Sequence, residues 1–215
     1  MKTFLISGLL FGLQCGALSQ GTVNFNNRVP GSVVAPIYGS NPSAPFVQLQ
    51  GNATTNGGSV DYTGYPLLSG TGWAAALWGS PAGLNGFQEL ATTTFRTSSS
   101  FAGFIQPISS VTVPWVMFNN TPVDFQVRVW DNVNGTIGTW SQVLADPTVP
   151  RSVSATFTVN VPLAGGTPAD LVGMTSFNIP AAPVPEPSLL ALGGIAISLL
   201  LWRTLRQRRS SDGAA

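Results

Sequence analysis

Two stretches of the chain alternate between apolar and polar residues with a period of two. Val123, Phe125, Val127 and Val129 fall on one side, with Asp124, Gln126, Arg128 and Trp130 on the other. Val153, Ala155, Phe157, Val159 and Val161 alternate in the same way with Ser152, Ser154, Thr156, Thr158 and Asn160. This is the pattern of a strand with one buried face. Shorter segments of the same character predict strands over Thr22–Asn26, Phe46–Gln50, Trp73–Trp78, Glu89–Arg96 and Val111–Phe118. Pro114 cannot donate to a ladder, so it makes the last of these an edge or a bulged strand. Asn134-Gly135 predicts a hairpin turn. No long stretch of the body carries a helical period. Residues 20–180 therefore read as one all-β, β-sandwich-like domain.

The two ends are patterned differently. Lys2 is followed by an apolar run from Phe4 to Leu13, and Ala17-Leu18-Ser19 then offers small residues where a signal peptidase reads them. This predicts a signal peptide over 1–19 and an extracellular body. Acylation at Cys15 is the alternative, and Gln14 stands where that processing prefers a small residue.

At the other end, 181–187 is a Pro-rich spacer holding Pro185, Glu186 and Pro187, which proline keeps extended. Residues 188–202 form an uncharged, mostly apolar run, with Leu189, Leu192, Ile195, Ile197, Leu200 and Trp202 as its anchoring side chains. As a single apolar helix the run from Pro187 to Trp202 spans about 24 Å, against a hydrocarbon core of about 30 Å. Residues 203–215 follow as a basic tail, and Arg203, Arg206, Arg208 and Arg209 place it in the cytoplasm by the positive-inside rule. Pro-Glu-Pro, an apolar helix and a terminal arginine cluster together resemble the PEP-CTERM sorting signal of Gram-negative bacteria. The resemblance covers about the last thirty residues. It implies a sorting motif at Pro185, Glu186 and Pro187, an exosortase-like protease as partner, and a temporary inner-membrane anchor with the arginines as stop-transfer. It also implies a final place at the cell surface or in an exopolysaccharide matrix. An ordinary single-pass tail anchor is the plainer alternative, and it requires no Pro-Glu-Pro.

Composition narrows the chemistry. Only 8% of the 215 residues are charged, and there is no His. The one Cys is Cys15, inside the N-terminal apolar run. The commonest general base and metal ligand is thus missing, and no disulfide can form within the chain. No metal or cofactor is expected. The body holds Arg28, Arg96, Arg128 and Arg151 against a larger number of carboxylates, which argues against a nucleic-acid partner. Glu89 is its only Glu, and its Asp residues lie in turn-like contexts, so no acid–base pair stands out for a hydrolase. The chain is expected not to be an enzyme. Trp130 and Trp140 are candidate stacking platforms for a sugar ring, and the competing reading packs them inside the domain. The expectation is an exported, non-enzymatic surface or matrix protein. A carbohydrate-binding module using exposed Trp is the second reading, and a secreted hydrolase the third.

Overall fold

The computed structural model describes residues 20–51 and 59–182. The signal peptide, the Pro-Glu-Pro motif, the apolar anchor and the arginine tail expected from the sequence lie outside them. The fold is all-β in class. Twelve strands and one six-residue helix follow in order. They are β1 (Gly21–Phe25), β2 (Arg28–Val29), β3 (Val33–Val34), β4 (Ile37–Tyr38), β5 (Gln50–Gly51), β6 (Trp73–Pro81), β7 (Gln88–Thr94), β8 (Ile108–Val113), β9 (Thr121–Asp131), α1 (Trp140–Ala145), β10 (Arg151–Val153), β11 (Phe157–Val161) and β12 (Ser176–Asn178).

The largest sheet has β6 at its centre, flanked by β7 on one side and β9 on the other. Both β10 and β11 pair with β9, and every pairing in this sheet is antiparallel. Its long strands carry the alternation read from the sequence. Val123, Phe125, Val127 and Val129 of β9, with Ala75 and Leu77 of β6, enter the main core. Over that face lie the pair β1–β8, which brings Val23, Phe25, Val111 and Val113, and the three-stranded sheet β4–β12–β5, which brings Ile37 and Phe177. A second, smaller core forms on the opposite face. There Ala74 and Ala76 leave room for Trp130, Trp140, Val143 and Val149.

Three expectations need correction. The segment Val153–Val161 is not one strand. Val153 pairs with Arg128 and Phe157 with Phe125, so the Val153–Phe157 side holds one residue more than β9 does. This extra residue is a bulge, and it reverses which side chains are buried. Ser152 and Ser154 are buried before it, while Ala155 is exposed and Phe157 turns inward after it. Ser154 closes the gap, donating its N–H to the Val127 carbonyl at 2.9 Å and accepting from the Val127 N–H at 2.9 Å. Second, Asn134-Gly135 is not a two-residue hairpin. Val133, Asn134 and Gly135 all have positive φ, and the chain makes α1 before returning as β10. Third, of Phe46–Gln50 only Gln50 joins a strand, while β8 stops at Val113, immediately before Pro114.

α1 begins at a capping box that a Thr-x-x-Gln spacing encodes. Thr139 accepts from the Gln142 N–H, and Gln142 Oε1 accepts from the Thr139 N–H at 3.1 Å. The helix is thereby set across the outer face of the large sheet, with Trp140 and Val143 turned toward β6 and β9.

Candidate functional site

Trp130 and Trp140, the residues predicted as stacking platforms, are brought together by the fold. Trp130 is fully buried and Trp140 is 7% exposed, so neither presents a ring face to a ligand. Their rings meet edge to face at 5.8 Å, and Trp130 Nε1 donates to the Ile137 carbonyl at 3.0 Å. The physical reason is α1. Laid over the polar side of β9, it turns what reads as a solvent face into a second core. The arrangement extends outward through Arg128, which sequence reasoning did not single out. Its guanidinium carbon lies 3.9 Å from the centroid of the Trp78 ring and 5.3 Å from that of Trp140. Burial lowers the Arg128 pKa from its usual value, with Glu89 acting in the opposite sense. Arg128 Nη2 donates to Gln126 Oε1 at 3.3 Å, while the buried Arg128 Nε and Trp78 Nε1 have no partner. Arg128 is a rivet between two indoles.

Each carboxylate of the described residues accepts a hydrogen bond, four from donors within three residues in sequence and two from distant segments. Asp131 accepts from the Val133 N–H at 2.8 Å, and Asp61 from the Thr63 N–H at 2.8 Å. Asp146 accepts from the Thr148 N–H at 2.9 Å and hydroxyl at 2.6 Å. The hydrogen bonds from Thr63 and Thr148 hold the Asp61 and Asp146 carboxyls below the usual range. Asp124 bridges the sheet end, accepting from the Gly83 N–H and the Thr158 hydroxyl. Asp170 accepts from Asn24 Nδ2, and Glu89 from the Thr92 hydroxyl at 2.6 Å. Among the described residues no three His, Cys, Asp or Glu side chains gather as a metal site.

A cleft of about 480 Å3 opens beside the last described residues, Pro180, Ala181 and Ala182. It is lined by Trp73 and Asp131, paired across β6 and β9, and by Pro66, Ser69, Pro180 and Ala181 among others. Ala181 is tied back by its N–H to the Pro45 carbonyl at 2.7 Å. No helix among the described residues is long and apolar enough to cross a membrane. Compared with known proteins, the chain matches no family model, no curated protein and no solved structure.

Proposed function

We propose that this is an exported, non-enzymatic protein of the cell surface or exopolysaccharide matrix, sorted through a PEP-CTERM-type tail. The observation that carries the reading is the order at the chain end. Pro185-Glu186-Pro187 precedes an uncharged apolar run, and Arg203, Arg206, Arg208 and Arg209 follow it. The fold is compatible with that order. The described residues are mostly β-strand, and the last of them, Ala181 and Ala182, line a surface cleft. A non-enzymatic role is supported by the carboxylates, each of which accepts hydrogen bonds within a turn or at a strand. A binding module built on Trp130 and Trp140 is not favoured, since both rings are buried.

The test is the intact mass of the protein from native envelope and medium, with and without the exosortase-like protease. Loss of the tail near Pro185-Glu186-Pro187, dependent on that protease, is expected. An uncut tail in the membrane would overturn the sorting reading and leave a simple anchored β domain.

A further inference from the structure

Arg28 and Arg96 both sit on Phe101. Each guanidinium carbon lies 4.8 Å from the centroid of that ring, so the two are no more than twice that distance apart. Arg28 also lies 5.3 Å from the Phe104 centroid. The arrangement is braced from beneath by Asn27, fully buried beside Arg28. Asn27 Nδ2 donates to the Ala35 carbonyl at 2.8 Å and the Gly103 carbonyl at 3.0 Å, and its Oδ1 accepts from the Ile105 N–H at 3.0 Å. The segment Gly103–Ile105, which follows the 3-10 turn Ser99–Phe101, is thus fixed to the residue before β2. Gly103, at φ 84°, makes the return that this requires.

The other two arginines of the described residues are engaged inside the domain. Arg151 Nη1 donates to the Val143 and Asp146 carbonyls, and Arg128 is stacked between indoles. Arg28 and Arg96 are different. The side-chain hydrogen bonds described for the pair come to one, from Arg96 Nε to the Ile105 carbonyl at 3.0 Å, which leaves the terminal nitrogens of both free to donate. Holding two like charges beside one ring is unfavourable without a counter-ion. A planar guanidinium fixed by aromatic stacking loses little further freedom when it meets a carboxylate. Beside Arg96 is an open groove of about 400 Å3, lined by Arg96, Thr97, Ser98, Phe101, Gln106 and Pro107, with Arg28 outside this lining but stacked on the same Phe101 ring. That volume lies within the range of small-molecule sites. Its hydroxyl and amide side chains suit a ligand rich in hydroxyls.

We infer that the groove lined by Arg96 and Phe101, beside Arg28, binds a carboxylate carried on a polyhydroxylated framework, of which a uronic acid unit is the simplest case. A dense polyphosphate does not fit. The described residues as a whole are net acidic, with four arginines against Asp61, Glu89, Asp124, Asp131, Asp146 and Asp170. The inference does not depend on how the chain is sorted.

The experiment is calorimetric titration of the full chain in mild detergent with an oligogalacturonate, with the same oligomer reduced to its neutral alcohol, and with sulfate. Saturable binding of the oligouronide is expected, weakened about tenfold by Arg96→Gln and less by Arg28→Gln, with the neutral oligomer and sulfate much weaker. Absence of saturable binding, equal binding of the neutral oligomer, or equal binding of sulfate would each overturn it. Should the variants unfold, amide shifts decide the matter in the unaltered protein. Thr97, Ser98 and Gln106 should move on titration, and their silence would reject the site.

Discussion

Trp130 and Trp140 meet edge to face, with ring centroids 5.8 Å apart and planes inclined at 65°. The contact joins the end of the longest strand to the only α-helix among the described residues, and it closes the second core. Trp140→Ala opens a cavity against Trp130 and Ala74 and withdraws one of the two rings that hold Arg128. A loss of about 3–5 kcal/mol is expected, as for other buried Trp truncations. Urea unfolding of the variant beside the wild type measures it. A midpoint unchanged from wild type would mean that α1 does not hold the outer face.

Asn27 is the buried polar hub of the domain, and all three of its side-chain bonds reach main-chain groups. Asn27→Leu keeps the approximate volume but leaves the Ala35 and Gly103 carbonyls and the Ile105 N–H without these partners. An unpaired buried group costs about 1–3 kcal/mol, so a combined loss above about 2 kcal/mol is expected. Hydrogen exchange distinguishes this from general weakening. The Ile105 amide should lose protection far more than amides in β9.

The long strands were legible because burial on one face leaves a period of two in the residues themselves. β9 is the plainest case, from Val123 to Val129. What lay beyond the sequence was set by pairing. The bulge at Ser154–Thr156 places a serine inside the sheet and an alanine outside, and no local signal in a run of Ser, Ala and Thr marks it. The burial of Trp130 depends on α1 crossing a strand face that reads as polar. The Thr139–Gln142 capping box was the sign that could have revealed this helix. The Arg28–Phe101–Arg96 cluster joins positions more than seventy residues apart in the chain, so spacing offered no signal for it.

Gly21 tests the packing of β1 more sharply than any core truncation. A Cβ there would meet Val161 Cγ1 at 2.5 Å, Val116 Cγ2 at 2.6 Å and the Pro162 carbonyl oxygen at 2.7 Å. Two branched side chains and a backbone atom cannot all yield, so Gly21→Ala should destabilise by about 1–3 kcal/mol. Gly138 is the control, because nothing lies within 4 Å of its would-be Cβ. Gly138→Ala is expected to show no loss. Thermal unfolding of the two variants side by side gives the comparison, and equal melting temperatures would contradict the packing at β1.

Tyr62 gives the domain a response to alkaline pH. Its hydroxyl donates to the Ser176 carbonyl at 2.7 Å, and its ring stacks on Tyr38 at 4.3 Å. Burial foremost, then the neighbouring Tyr38 and Tyr65, push its pKa up to about 12. In the unfolded chain the phenol ionises near its ordinary value of about 10. The folded state therefore keeps a proton that the unfolded state has released, and stability falls as pH rises between those two values. Below pH 10 the contribution is complete and flat. Burial of Tyr38 acts in the same direction. The chain has no His, and its one Lys is Lys2, so few other groups compete there. Urea midpoints of the wild type should be level from pH 8 to 10 and then decline toward pH 12. Tyr62→Phe should begin lower by about 1 kcal/mol, for the lost hydrogen bond, and decline less steeply. Parallel curves for the two proteins would show that the phenol of Tyr62 is not the group that titrates.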